Sequence, residues 1–535
     1  MSVVAGGHPL SIKKRFLFSV GANIARAALS LLTGLLVARG LGPADYGNLA
    51  YLLGSFWAIR ALLDMGTASA FYTFIAQRHR GRLYYLVYFG WLAMQFVVSA
   101  GLVALLLPSF IVDRFWLGQA RELILLAMLA TFLQNQIWQT VVQMHEAVRQ
   151  TIQIQVAGFL IVVVHLFLIV LMLQGGWLSI GAVLWAIVAE YLLAAVWLSG
   201  RLRKTAIAGE AELSPTDTSL RATLADYLHY CRPMAVIAVF AFCHEMADRW
   251  LLQRFGGASQ QGFYQVASQL STISLLASTS ILNILWKEVA EACEHGDHSR
   301  VLVLYQKTTR LLVLLAAVVS CFLAPWSEQL VGILLGNAYH AAWPVLFVML
   351  FYPIFQAMGQ INGTLFMATG QTRVYMKITV AGLLVSIPVS YLLIVPAQGV
   401  WLSGLGLGAI GLAIKIVGLN ALFVNIQSWV ISRHYGSAFQ WKYQVSGILA
   451  LITWAYTVWF AAQGFLSIFS AAANGIAKTS VLFAMACSGL IYLYGVFVLF
   501  KRAPAIIGLD ENEVTALLDK MKRVMRRGKG YMNGQ

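Results

Sequence analysis

The sequence predicts an all-α polytopic membrane protein of about 14 transmembrane helices, two parallel-repeat six-helix bundles followed by two extra C-terminal helices. Three observations predict it. Of the 535 residues, 60% are hydrophobic and 11% charged, a composition outside that of soluble globular chains. Apolar runs of about 20 residues, the length that crosses a bilayer, recur along the whole chain. Two separate stretches also repeat at a near-constant spacing.

In order, the runs are Phe16–Ala38, Tyr46–Phe71, Leu83–Leu107, Leu123–Met144, Ile152–Leu173, Trp177–Leu198 and Met234–Leu252. Phe263–Leu285, Leu311–Leu323, Val345–Met367, Val374–Val395, Trp401–Ile431, Val445–Phe465 and Ile476–Phe500 follow. The ninth is short. The first follows "KKR" but is longer than the apolar region of a signal peptide and lacks a small-residue cleavage site, so it reads as a retained helix. The five cysteines fall in helices or inner loops and imply no disulfide framework.

The net charge of +16 does not point to nucleic acid, because its placement follows the membrane. With the amino terminus inside, 28 of the 37 Lys and Arg lie in inner segments and 5 in outer loops, the asymmetry of the positive-inside rule. Both termini are expected in the cytoplasm.

"ARGLGPADYGNLAY" pairs with "QRFGGASQQGFYQV" at an offset of 215, matching Gly42 with Gly257 and Gly47 with Gly262. "RQTIQIQVAGFL" pairs with "RVYMKITVAGLL" at an offset of 224, which also sets Trp177 on Trp401. Helices 1 to 6 therefore correspond to 7 to 12, and an even number keeps both halves in one orientation. The expected divisions are a six-helix bundle over 1–205, a polar cytoplasmic linker over 206–226, a second bundle over 227–437 and helices 13 and 14 over 438–502. A basic amphipathic tail, 503–535, carries Val514, Leu517, Leu518, Met521, Val524 and Met525 on one face and Lys520, Lys522, Arg523, Arg526 and Arg527 around it. Such a helix suits an anionic lipid surface.

Four basic residues lie within the runs: Arg26, Arg60, Arg249 and Lys415. Each would cost about 2.5 to 3.5 kcal/mol at a lipid-facing helix centre, so they are expected to face protein or water. Arg60 with Asp64, Glu245 with Arg249, and His244 with Asp248 are spaced i,i+4 and can share a face. Arg26 and Lys415 have no carboxylate three or four residues away. Arg26 stands about 15 Å along its helix from Phe16 and Lys415 about 21 Å from Trp401, both near mid-bilayer. The expectation is a cationic central cavity for a phosphate or pyrophosphate group, formed by Arg26, Arg60, Lys415 and Arg249 with Asn23. Gln134, Asn135, Gln136, Gln139, Asn362 and Asn420 serve equally well as contacts between helices.

"GLGAIG" fits a dinucleotide-binding pattern but lies inside an apolar run rather than after a strand, so small-residue packing accounts for it. "NGIAKTS" lacks the glycine spacing of a phosphate loop. No catalytic residue, metal cluster or cofactor motif emerges.

The chain resembles the Wzx-type polysaccharide flippases of the multidrug/oligosaccharidyl-lipid/polysaccharide exporter superfamily. The resemblance is carried by "SVGANIARAALSLLTGLLVARGLGPADYGNLAYLLGS" at Ser19–Ser55 and "LLGNAYHAAWPVLFVM" at Leu334–Met349. It spans both six-helix halves. It implies transport, not enzymatic chemistry: export of undecaprenyl-pyrophosphate-linked oligosaccharide across a bacterial inner membrane, for surface polysaccharide such as O-antigen, by ion-coupled alternating access. It places basic residues of helices 1, 2 and 12 in the cavity, here Arg26, Arg60 and Lys415. A coupling proton or sodium ion is implied, with Asp64, Glu245 and Asp248 as candidate sites. A polysaccharide polymerase and chain-length proteins are candidate partners. Two other readings stand beside it. A small-molecule antiporter of the same fold would favour an acidic cavity for cationic cargo, against these cations. A membrane-embedded glycan polymerase or glycosyltransferase would need a substantial charged outer loop, whereas 325–343 holds one acid and no Lys or Arg.

Overall fold

A computed structural model describes residues 12–77, 81–148, 150–209, 219–275, 285, 288–289, 291–397, 403–439, 441–472 and 478–502. The basic tail and residues 210–218 of the polar linker lie outside these residues. The described chain is helical: α1 (Ile12–Asp64), α2 (Thr67–Gln77), α3 (Arg82–Gly101), α4 (Ser109–Trp116), α5 (Arg121–Phe132), α6 (Trp138–Ala147), α7 (Thr151–Gly175), α8 (Ile180–Gly209), α9 (Leu220–Leu251) and α10 (Ala258–Ser271). Then come α11 (His298–Leu323), α12 (Ser327–Leu334), α13 (Trp343–Met349), α14 (Tyr352–Ala368), α15 (Thr372–Ile394), α16 (Gly408–His434), α17 (Lys442–Ala472) and α18 (Lys478–Arg502).

Among the described residues, 9 helices are long and apolar enough to cross a membrane, or up to 11 if each bent pair is one span. The all-α polytopic class stands; the count falls short of fourteen for identifiable reasons. The first two expected spans form one stretch, Asn23–Asp64, of 42 residues. Straight, it would be about 63 Å long, about twice the hydrocarbon thickness. It breaks at Gly42, whose φ of 78° and ψ of 171° are not helical and whose positive φ a side chain would resist. Part of the eighth expected span lies outside the described residues. The short ninth span belongs to a full 26-residue helix, α11, whose first half looked polar because of Arg300, Lys307 and Arg310.

The twelfth span begins later than expected. Residues 403–407 are not helical; instead the amides of Leu405, Gly406 and Leu407 donate to the carbonyls of Leu392, Val395 and Leu393. The helix starts at Gly408, so Lys415 stands about 10 Å from its beginning, not about 21 Å, and lies in its first third. Arg26 stands near the middle of the arm of α1 that runs from Ile12 to the break at Gly42.

The chain forms two compact units, Met1–Val266 with Leu383–Leu412, and Ala267–Gly382 with Ala413–Gln535. In unit 1, α1 packs on α5, α7, α8 and α9. Gly257 (φ 85°, ψ 171°) reproduces the conformation of Gly42, its counterpart in the sequence repeat. Close by, a Cβ on Gly47 would strike the carbonyl of Ala258, and one on Gly262 would strike that of Pro43. Bare backbone there lets α1 and the start of α10 touch, as small residues do between membrane helices. In unit 2, α11 packs on α14 and α17 over a core that includes Val313, Ile354, Met358, Leu451 and Tyr492.

Candidate functional site

The ionisable groups of unit 1 fall into three clusters. The first is the last turn of α9, where the i,i+4 logic holds: Arg249 Nη2 is 3.6 Å from Glu245 Oε2, and His244 Nε2 is 3.5 Å from Asp248 Oδ2. Asp248 is buried at 7% exposure, and its Oδ1 accepts the Ser390 hydroxyl at 2.5 Å. The Arg249 guanidinium lies directly on Gly54 of α1, a glycine that leaves room for it. Beside it, the Tyr51 hydroxyl donates to the Phe115 carbonyl at 2.5 Å, and one turn further on Gln253 donates to Asn48 at 2.8 Å.

The second cluster separates two residues expected to pair. Among the described residues Arg60 and Asp64 form no ion pair. Asp64 instead accepts from the Thr67 hydroxyl at 2.9 Å and the amides of Ala68 at 3.0 Å and Gly66 at 3.3 Å. Its carboxylate caps α2, satisfying amides that a helix start leaves open. Arg60 lines a cavity of about 30 Å³ with Gln95, Thr131 and Gln136, room for one or two waters. Gln136 donates to Gln95 at 2.6 Å, and Gln95 to the Leu63 carbonyl at 3.1 Å. Arg60 Nε and Thr131 Oγ1 are buried without a hydrogen-bond partner.

The third cluster surrounds Arg26. Its Nη1 lies 3.2 Å from where a Gly158 Cβ would stand on α7, and among the described residues it makes no ion pair. Asn23, one turn earlier, is exposed, as is Arg26. Nearby, Gln134 donates to the Tyr191 hydroxyl at 3.2 Å and Trp138 meets the Tyr191 ring edge-on. Next to Tyr191, Glu190 reaches across to His165, whose Nδ1 is 3.0 Å from its carboxylate. Sequence reasoning passed over this pair. The signal was one ionisable residue near the centre of each of two adjacent apolar runs, but spacing within one helix cannot find a partner on the next.

Unit 2 holds Lys415, buried at 3% exposure and engaged by neighbouring groups. The reading of Lys415 as an unpaired cation does not hold. Asn362 is structural: it bonds Tyr305 at 2.9 Å, Ser428 at 3.0 Å and the Val424 carbonyl at 3.0 Å, and Asn420 reaches Gln356 at 3.4 Å. No group of three or more metal-ligating side chains occurs among the described residues.

Comparison with known proteins bears on this architecture of apolar helices with basic groups inside them. The family profile described as polysaccharide biosynthesis protein matches residues 12–285. The chain belongs to that family. The profile described as MatE matches residues 233–392. No curated protein matches the chain. Among solved structures, the lipid II flippase MurJ in an inward closed conformation shares 11% identity at a TM-score of 0.65, covering 90% of this chain and 99% of that one. An inward-facing multidrug resistance MATE family transporter of the MOP superfamily shares 15% at 0.57, covering 77% and 96%. A MOP superfamily transporter from Pyrococcus furiosus shares 13% at 0.53, covering 79% and 95%. At such identities the likeness is one of fold. The family match over residues 12–285 and the shared fold point the same way.

Proposed function

We propose that the chain is a flippase that carries undecaprenyl-pyrophosphate-linked oligosaccharide across the bacterial inner membrane, with both termini in the cytoplasm, for surface polysaccharide synthesis. The family match over residues 12–285 on a transporter fold is the observation that carries this reading. Basic residues in the spans support it. Arg26 is exposed, lacks an ion pair among the described residues and stands near mid-arm, so it is the group best suited to meet a pyrophosphate. Arg249 is the second, held in place by Glu245 and Gly54. The sugar crosses in water and the polyprenyl tail stays in lipid. Ion coupling requires that the ion bind the two transport states with different affinity, a task to which Asp64 is poorly suited because it caps a helix. The tail after Arg502 meets anionic lipid, and a polymerase and chain-length proteins take over the product.

Deleting the gene and scoring surface glycan together with lipid-linked oligosaccharide tests this. Loss of surface glycan with the lipid-linked precursor trapped on the inner leaflet is expected, restored by the wild-type chain but not by Arg26→Ala at equal abundance. The match of residues 233–392 to MatE favours a second reading, small-molecule antiport; dye efflux without any glycan phenotype would decide for it.

A further inference from the structure

We propose that His165 and Glu190 form a proton-binding pair within unit 1, and that the proton held there is the ion whose binding drives transport. The proposal rests on the transport reading above and names its coupling ion. Glu190 stands at the centre of the apolar stretch Ile180–Gly200, and His165 at the centre of Ile152–Gly175. Both are therefore at mid-span, where an ionisable side chain is costly and rarely kept without a task. The Glu190 side chain is only 4% exposed and that of His165 21%, so the imidazole is the face open to a proton and the carboxylate the acceptor behind it. His165 Nδ1 lies 3.0 Å from both carboxylate oxygens, yet the hydrogen bond is made to Oε1 and leaves Oε2 buried without a partner.

That geometry gives the pair two accessible charge states. With one proton shared it is neutral overall, whether as imidazolium with carboxylate or imidazole with carboxylic acid. Release of that proton to water leaves a net charge of −1 in the middle of the unit. The charged and titratable groups around it are few. Tyr191 follows Glu190 on α8, and Arg26 on α1 acts electrostatically on that same Tyr191, as does Glu190. Gln134 contributes a neutral donor to Tyr191. On α5 and α6, which also pack on α8, the titratable residues are Arg121, Glu122, His145 and Glu146, all near helix ends. Glu190 and Arg26 thus both act on Tyr191, which links the pair to the residue proposed to meet the substrate.

The test uses the full chain. Infrared difference spectra of the purified protein between about pH 5 and 8 should show a carboxylic-acid band that Glu190→Gln removes and His165→Asn shifts in midpoint. In cells, at equal abundance, Glu190→Gln should lose surface-glycan display, Glu190→Asp should retain part of it, and wild-type display should fall when the transmembrane pH gradient is collapsed with sodium held constant. A spectrum unchanged by Glu190→Gln overturns the proposal, as does full display by that variant. The infrared arm needs no substrate, so it decides the proton site even if deletion of the gene shows no glycan phenotype and the flippase reading fails.

Discussion

Gly47 and Gly262 make mirror contacts. Gly47 lies against the Ala258 carbonyl and Gly262 against the Pro43 carbonyl, and the repeat offset that converts Gly47 into Gly262 also converts Pro43 into Ala258. The duplication in the sequence is therefore a local two-fold packing contact in unit 1, with Gly42 and Gly257 setting the same turn at each arm. Gly47→Ala or Gly262→Ala should destabilise by roughly 1–3 kcal/mol, the usual range for overpacking, because the atom struck is backbone and cannot rotate away. Thermal unfolding in detergent reads this, and the two substitutions should have similar effects. Unchanged midpoints would show that the helices separate at no cost.

Asp64 offers a sharper choice between two roles. As a cap it needs only an acceptor for the Thr67 hydroxyl and the Ala68 amide, which Asn supplies; as an ion site it needs its charge. Asp64→Asn should keep stability and glycan display, whereas Asp64→Ala should lose about 1 kcal/mol. Display abolished by Asn at normal abundance would return Asp64 to the coupling candidates.

Gly54 permits a test of Arg249 without touching it. An alanine methyl at position 54 would displace the guanidinium, the far end of a flexible chain, so little stability should be lost. If Arg249 holds substrate, Gly54→Ala should reduce display at normal abundance, and Arg249→Lys should do the same because a point charge does not reproduce the planar fork. Normal display in both variants would leave Glu245–Arg249 as a structural pair.

What the sequence made legible was whatever lies within one helix or repeats at a fixed offset. The pairs His244–Asp248 and Glu245–Arg249, the glycine turns and the helical class follow from periodicities of four residues or from self-similarity. The contacts Ser390–Asp248 and His165–Glu190 join positions 142 and 25 apart, and only tertiary packing selects them among many polar residues. Helix starts were obscured for a different reason: residues 403–407 are apolar because they pack, yet their amides bond back to the preceding helix, so hydropathy overran the true beginning at Gly408. The Arg60–Asp64 spacing does not produce a pair because a carboxylate has two uses at a helix end, and the left-handed Met65 and Gly66 that turn it toward α2 leave no mark in a helical spacing argument.

Lys415 and Arg26 entered as equals and should separate on mutation. Lys415 is 3% exposed and engaged, so Lys415→Ala removes a buried, engaged side chain, a loss of about 1–3 kcal/mol. Arg26 is exposed and without an ion pair among the described residues, and substitutions of that kind usually fall within about 0.5 kcal/mol. Melting curves in detergent should therefore show a lowered midpoint for Lys415→Ala and an unchanged one for Arg26→Ala, while glycan display at matched abundance should fall for Arg26→Ala and be partly restored by Arg26→Lys. A stable Lys415→Ala protein that cannot support display would reverse the assignment: the buried lysine would then act on substrate, and its partners would be holding it in readiness rather than holding the helices together.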